Sequence, residues 1–409
     1  MNEFGLDAMV PEDNHGALPP LVVFSPNRWE ESWTSRHRIA TGLAARGWPV
    51  MYNSGPLSTW ERRSESWTKA PILGGIRREN GLLVDVPGRI EAYWPRSPIW
   101  TQIAVRRHAR RLRRTVCRET SRQQPFTAFL FHPRYWPEAQ ALKPERIVYF
   151  AYDAISLAPG WTEEQAGLER ALVARADLIV AYSRNMFDYM PQRAAQIGRE
   201  IPTGVDIEHF VGALAEPCPK DLALIPRPRI GYTGNINQKL DLLGMYAVAR
   251  AAPELNFVFV GPAGPGNGGN FPGHPVETQA WEDLLALPNV RHLGPKAFTD
   301  VPTYMANMDV NVMCYRLEGG WWQAGYPLKM HEYLAVGKPV VGTALPTIRP
   351  FGNVIDIVAD IDQWLTALRR ALEQGGIGTP EERRAVAQEN SWDSRLDVLD
   401  GWMREVISP

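Results

Sequence analysis

The sequence predicts an α/β protein of two doubly wound units, each a mostly parallel sheet covered by helices on both faces. Three observations lead there. The chain has 409 residues, against the ~100 to 200 of an ordinary domain, so two separate cores are expected. Short apolar runs such as Leu21-Val22-Val23-Phe24 and Phe257-Val258-Phe259-Val260 lack strict alternation, as strands buried on both faces do. A proline-rich stretch, Glu216-Pro217-Cys218-Pro219 through Ile225-Pro226-Arg227-Pro228, divides one series of such runs from a second.

Taken in order, residues 21–24 form the first strand and residues 35–46 an amphipathic helix, which Gly47 closes as a C-cap. Residues 48–52, 127–131, 147–150 and 178–181 continue the first series as short β-branched or aromatic strands. A second series opens at Arg229-Ile230-Gly231-Tyr232-Thr233 and continues at 257–260, 290–293, 310–313 and 339–342, with helices between. A last helix, 392–406, follows the break Gly375-Gly376-Ile377-Gly378. The expected organisation is an extension over 1–19, a Rossmann-like domain over 20–202, a linker over 203–227, a second Rossmann-like domain over 228–385, and a C-terminal helix within 386–409 that packs back on the first domain. The two domains are expected to face each other across a cleft.

Composition excludes several classes. With 44% hydrophobic and 22% charged residues and a formal net charge of -1, the chain reads as globular and not as a basic nucleic-acid binder. Cys117, Cys218 and Cys314 are too widely spaced for a zinc knuckle or a redox pair, which fits a reducing cytoplasm. The polar, acidic first residues do not read as a signal peptide, and no apolar run reaches the ~18 to 20 residues that span a bilayer, so membrane contact is expected to be peripheral.

Open parallel sheets bind ligands at the carboxyl ends of their strands. In the second series these positions hold Thr233-Gly234-Asn235, Gly261-Pro262, Gly294, Tyr315-Arg316 and the segment Gly325-Tyr326-Pro327-Leu328-Lys329-Met330-His331-Glu332. Several are small or polar, as a rim facing phosphate requires. Pro327 suits a first helical turn, where its missing N–H goes unneeded, and that turn offers backbone N–H groups and a positive dipole end to an anion. Lys329 is disfavoured there unless a negative group sits opposite, and a diphosphate supplies one. Glu332, three residues on, shares the face and is suited to accept hydrogen bonds from ribose hydroxyls. The competing reading is a solvated Lys-Glu pair on an ordinary helix.

These residues also carry a resemblance. Pro327-Leu328-Lys329-Met330-His331-Glu332-Tyr333-Leu334-Ala335-Val336-Gly337-Lys338-Pro339-Val340-Val341 is similar to the donor-site helix and strand of GT-B glycosyltransferases, with the pattern P-x-K-x-x-E-Y-L-A-x-G-K-P-V-V. Ile201-Pro202-Thr203-Gly204-Val205-Asp206 through Phe210 resembles the linker of that group, and Ile230 to Gly234, Phe259 to Pro262 and 306–314 resemble its second-domain turns and strand. The resemblance covers residues 147–400 and is nearest to bacterial enzymes that build exopolysaccharide, capsule or teichuronic-type polymers, glucuronosyltransferases among them. It implies a UDP-sugar donor, a saccharide acceptor that is lipid-linked, no cofactor beyond the nucleotide-sugar co-substrate and no metal. By it Lys329 neutralises the diphosphate, Glu332 holds the ribose, Tyr315 and Arg316 line the pocket, and residues near Arg291 and His292 border the base.

One departure matters. The large retaining subgroup carries a glutamate eight residues before the ribose-binding one, and here that position is Ala324. An inverting reaction instead needs a base that deprotonates the acceptor hydroxyl. Asp153, in Tyr152-Asp153 after the strand at 147–150, resembles the acidic base of related inverting enzymes. The alternative is an Asp that caps the next turn. His37, in Thr34-Ser35-Arg36-His37-Arg38, is either a contact to acceptor or donor sugar or a solvated first-turn histidine. Trp29 and Trp33 nearby are of the kind that stack on sugars.

Two further stretches call for separate readings. Gly264-Pro265-Gly266-Asn267-Gly268-Gly269 satisfies GxGxxG, but the following Asn270-Phe271-Pro272-Gly273 cannot open a helix, so a loop is expected. The run Arg106-Arg107-His108-Ala109-Arg110-Arg111-Leu112-Arg113-Arg114, preceded by Trp94 and Trp100, is either a helix lying on an anionic membrane surface or a solvated face, with nucleic acid disfavoured by the near-zero net charge. Two rival functions are a non-catalytic nucleotide-sugar-binding subunit, prompted by Ala324, and a nucleotide-sugar epimerase of the same fold.

Overall fold

The apolar runs become two sheets in the computed structural model, which describes residues 18–407 apart from 32, 121–125, 159, 265–270 and 272. The greater part of the 1–19 extension and the GxGxxG stretch beyond Gly264 lie outside the described residues. The first sheet contains β1 (Leu21–Phe24), β2 (Val50–Asn53), β3 (Gly75–Glu79), β4 (Leu82–Val86), β5 (Thr127–Leu130), β6 (Arg146–Ala151), β7 (Leu178–Ala181) and β8 (Gly198–Glu200) in the order β3-β4-β2-β1-β5-β6-β7-β8. The second contains β9 (Arg229–Thr233), β10 (Asn256–Val260), β11 (Val290–His292), β12 (Val310–Met313), β13 (Val340–Thr343) and β14 (Asp356–Val358) in the order β11-β10-β9-β12-β13-β14.

Counted from its own first strand, the second sheet runs 3-2-1-4-5-6 and every pairing in it is parallel. That order places its topological switch point between β9 and β12. The first sheet repeats the order around β1, with β3 added antiparallel at its edge. The sequence reading did not anticipate β3 and β4. Asn80 and Gly81, both at positive φ, join them as a two-residue hairpin turn. Arg77, Arg78 and Glu79 make β3 a charged, mostly exposed edge, which gave no apolar signal to read.

Contact density divides the chain into two compact units, residues 1–148 and 149–409, and the division falls inside β6. The change from one sheet to the other comes later, between β8 and β9, where the proline-rich stretch lies. In the second unit the core is built from strand residues Ile230, Tyr232, Phe257, Phe259, Val312 and Val341 together with Met330, Tyr333 and Leu334 of the helix Lys329–Val336. The helix Trp392–Ile407 is tied to the segment before β9, since Val205 exchanges backbone hydrogen bonds with Asn390 and Trp392, and Arg199 pairs with Glu405 at 2.7 Å.

The first unit buries a polar cluster. The helix Pro98–Thr120 turns Ala104, His108, Leu112 and Val116 inward at helical spacing. His108 lies fully buried between Glu138 at 2.6 Å and Asp85 at 2.8 Å. Burial alone would depress its pKa, but the charges of Glu138 and Asp85 outweigh that and push it up to about 10. Arg111 adds ion pairs to Asp85 at 2.7 Å and Glu91 at 2.9 Å. Part of the basic run is therefore turned inward and neutralised.

Candidate functional site

Three strand ends in the second unit bring backbone together at the switch point. After β9 and β10 the chain turns at Gly234 and Gly261, both at strongly positive φ. A Cβ on Gly261 would lie 2.1 Å from the Gly234 carbonyl oxygen, and one on Gly234 would lie 2.8 Å from Lys329 Nζ. At Gly261 a larger residue would meet backbone and force the rim apart, and at Gly234 a φ of 137° strains any side chain. Gly261 N–H donates to the Gly294 carbonyl at 2.9 Å, so the turn after β11 joins the same row. Asn235 stands exposed beyond Gly234, with its carbonyl accepting from the Tyr232 hydroxyl at 3.0 Å.

Lys329 is the first residue of the helix Lys329–Val336, with Leu328 at the N-cap. Pro327 therefore precedes the helix instead of opening its first turn, although its carbonyl already accepts from Met330 N–H at 3.1 Å. Lys329 is buried, unlike a solvated surface lysine. Its ammonium donates to the hydroxyls of Tyr232 at 2.8 Å and Tyr315 at 3.2 Å, and sits 4.3 Å from the centre of the Tyr232 ring. Burial, and then the nearby charge of Lys239, hold its pKa well below the ordinary lysine value, while Glu332 acts the other way. Glu332, on the same helix, is pushed up to about 7 by burial, with Lys329 opposing.

Lys239 was not singled out from sequence. It lies in the loop after β9, with its ammonium 5.7 Å from the ring centres of both Tyr315 and Trp321. Burial lowers its pKa and the charge of Asp153 raises it. A lone lysine a few residues past a strand-end glycine was the only available signal, and it is a weak one. Asp153 follows β6, and its carboxylate accepts from the next backbone N–H, Ala154, at 2.9 Å. The turn that follows, Ile155–Leu157, has Ala154 at its N-cap and no side-chain cap, so Asp153 does not cap it.

Tyr315 follows β12, its N–H donating to Thr343 Oγ1 at 3.0 Å. Arg316 is anchored through its N–H to the Lys239 carbonyl at 2.9 Å, while its guanidinium pairs with Glu277 and lies 5.7 Å from the Trp322 ring centre. Its carbonyl accepts from Trp322 Nε1 at 3.0 Å, which folds the loop back under it. Tyr326 stacks on His331 and shares a 2.8 Å hydrogen bond with its Nε2, so it braces the helix from outside the lysine cradle. Leu328 is exposed. Ala324 is buried, its carbonyl accepting from Ser183 Oγ at 2.5 Å.

Two predicted residues have their polar groups held by nearby backbone. Arg291 is exposed and its guanidinium donates to the carbonyls of Pro288 and Val290, each at 2.7 Å. His37, in the first unit, is not a solvated first-turn histidine. It is fully buried, its Nδ1 accepts from Thr34 N–H at 3.1 Å, and its other nitrogen donates to the Arg28 carbonyl at 3.0 Å. The Thr34 donor fixes the tautomer. Burial lowers the pKa, and the ring stacks between Trp33 and Tyr52 with centroids 5.7 and 5.3 Å away. His37 closes the capping box of the helix Ser35–Ala45.

The family model described as "Glycosyl transferases group 1" matches residues 227–374, the stretch that carries the cradle. A protein of Bacillus subtilis (strain 168), provisionally named teichuronic acid biosynthesis glycosyltransferase TuaH, is 32% identical over 235 residues. The match covers 55% of this chain and 56% of that protein, so the chain spans little more than half the length of this relative. Among solved structures, sucrose-phosphate synthase from Thermosynechococcus elongatus superposes with a TM-score of 0.68 at 14% identity, covering 95% of this chain and 99% of that one. Anabaena Alr3699/HepE, solved with UDP and glucose, gives 0.64 at 13% identity, covering 95% and 100%. The chain therefore has the GT-B fold, and its residues 227–374 match the model of the group 1 glycosyl transferases.

Proposed function

We propose that this protein transfers a sugar from a UDP-sugar to a lipid-linked saccharide at the inner face of the cytoplasmic membrane, in the building of a polysaccharide or glycoconjugate. The observation that carries the reading is Lys329, buried at the switch point against two neutral tyrosine hydroxyls with a second lysine beside it. A diphosphate supplies the charge such a cradle lacks. Glu332 accepts from the ribose hydroxyls. The complexes of Alr3699/HepE with UDP and with UDP-glucose support the choice of base.

In the transfer, the acceptor hydroxyl attacks the anomeric carbon while the bond to the diphosphate breaks, with inversion. Asp153 takes the hydroxyl proton, and Lys239 and Lys329 stabilise the departing UDP. Because the two lysines carry the neutralising charge, the reaction is expected to run without a metal or other cofactor. Ala324, in place of the glutamate of retaining enzymes, supports inversion; it also favours a second reading, a nucleotide-sugar-binding subunit without chemistry.

A panel of UDP-, GDP- and dTDP-sugars tests this, read first by thermal stabilisation and then by transfer to a short lipid-linked saccharide with and without EDTA. UDP-sugars alone should stabilise, and product should form equally in both buffers. Binding without transfer selects the subunit, and donor turnover without acceptor selects the epimerase. Stabilisation by none of the panel sinks the proposal.

A further inference from the structure

The first unit carries an outward face that the donor cradle does not use. Three segments form it. The loop before β3 exposes Ile72 and Leu73, the stretch after β4 exposes Ile90 and Trp94, and the first turns of the helix Pro98–Thr120 expose Ile99, Trp100 and Ile103. These seven side chains are between 43 and 75% exposed.

Hydrogen bonds stitch the segments into one surface. Arg89 and Ile90 N–H donate to the carbonyls of Pro71 and Ile72 at 2.9 and 3.2 Å. Trp100 Nε1 donates to the Ala92 carbonyl at 3.2 Å, and Thr101 Oγ1 to that of Trp94 at 2.8 Å. The loop is also packed at its base, since a Cβ on Gly74 would lie 2.6 Å from Glu91 Oε2. A contiguous apolar surface of this kind marks an interaction site in a soluble domain.

Charge identifies the occupant. Along the same helix the outer face changes from Ile99 and Ile103 to Arg106, Arg107, Arg110 and Arg114, all exposed. Between Pro87 and Arg118 there are nine arginines and a single acidic residue, Glu91, and Glu91 is consumed by Arg111. With a rise of ~1.5 Å per residue the first arginines stand about 5 Å beyond Ile103 along the axis. That matches an apolar tip entering the ~5 to 10 Å boundary of headgroups and acyl chains with a basic collar at the phosphates. A protein partner would need acidic groups arranged to fit each arginine, whereas a lipid surface supplies anions in any arrangement.

We infer that this face docks the protein on an anionic phospholipid surface, inserting Leu73, Ile99, Trp100 and Ile103 with Arg106, Arg107 and Arg110 against the headgroups. No helix among the described residues is long and apolar enough to cross a membrane. The inference rests on the lipid-linked acceptor of the preceding section only for its purpose, and its test needs no nucleotide sugar.

The full chain is sedimented with vesicles of phosphatidylcholine alone and with about one third phosphatidylglycerol. It should bind the anionic vesicles and be released as salt rises from about 0.05 to about 0.5 M. The triple variant Arg106→Ala/Arg107→Ala/Arg110→Ala should lose roughly a hundredfold in partitioning, at about fivefold per charge. The variant Leu73→Ser/Ile99→Ser/Ile103→Ser should lose at least about tenfold.

Both variants should keep wild-type transfer to a water-soluble acceptor, so a failure of vesicle binding alone overturns the face and a failure of transfer alone overturns the function. Equal binding to both vesicle types overturns the proposal, as does undiminished binding by the variants. Loss by the same substitutions of a dimer, or of bound RNA, in place of vesicle binding also overturns it.

Discussion

The two units bury positive charge in opposite ways. In the first, His108 is enclosed by two carboxylates and raised to about 10, and Arg111 completes the pairing. In the second, Lys329 is enclosed by neutral tyrosine hydroxyls and driven well below its ordinary value, with Lys239 adding to the deficit. A closed set of charges holds a fold together and has nothing left to offer. A buried cation short of anions is a cost that the fold bears until a ligand supplies the missing charge.

The comparison can be broken at each of its groups. Asp153, the acid coupled to Lys239, should be the most sensitive position: Asp153→Asn is expected to lower kcat by about 10²- to 10⁴-fold while leaving UDP affinity unchanged, and retained turnover in a steady-state assay would refute the role. His108→Ala removes the shared partner of two buried carboxylates, so chemical denaturation should show a loss of about 3 to 5 kcal/mol with UDP binding intact in whatever fraction folds. An equal loss of UDP affinity would erase the distinction between the two regions.

Lys329→Ala should do the reverse. Calorimetric titration should show UDP binding weakened by about 1.5 to 3 kcal/mol, roughly ten- to a hundredfold, whereas the melting temperature of the ligand-free variant should not fall. A destabilised variant that still binds UDP would mean the cradle is structural. The gentlest probe is pH. Folded Glu332 keeps its proton up to about 7, whereas the unfolded chain releases it near 4.5. The folded state therefore holds the extra proton between those values, and ligand-free stability should decline as pH rises through that window. UDP affinity should rise over the same range, because the carboxylate is the better acceptor for ribose. Glu332→Gln should flatten both profiles in melting and titration experiments.

Much of this was legible before any coordinates. The strands from Leu21 and Arg229 onward, the helix closed by Gly47 and the cluster around Lys329 follow from apolar runs punctuated by glycine and proline, which are local signals. What was missed was non-local. Lys239 joins the cradle only because the loop after β9 meets the turn after β12. Tyr232 reads as an ordinary strand residue until its hydroxyl is found beneath Lys329. The burial of His37 was missed for the same reason, since its stack depends on Tyr52 in the neighbouring strand. Arg291 was assigned by resemblance alone, and that nearby carbonyls hold its head shows only in the fold.

The sequence by itself determined the α/β class, the two series of buried strands and the Pro327, Lys329 and Glu332 segment, because period, turn chemistry and charge act over a few residues. Tertiary structure alone decided which charges are closed off and which are left wanting. Arg111 and Arg106 stand in one basic run, yet the first is spent on Asp85 and Glu91 and the second faces outward. His108 and Lys329 are both buried cations, and only their neighbours across the fold make one a structural centre and the other a cradle, since pKa and pairing depend on groups brought within a few ångströms by packing.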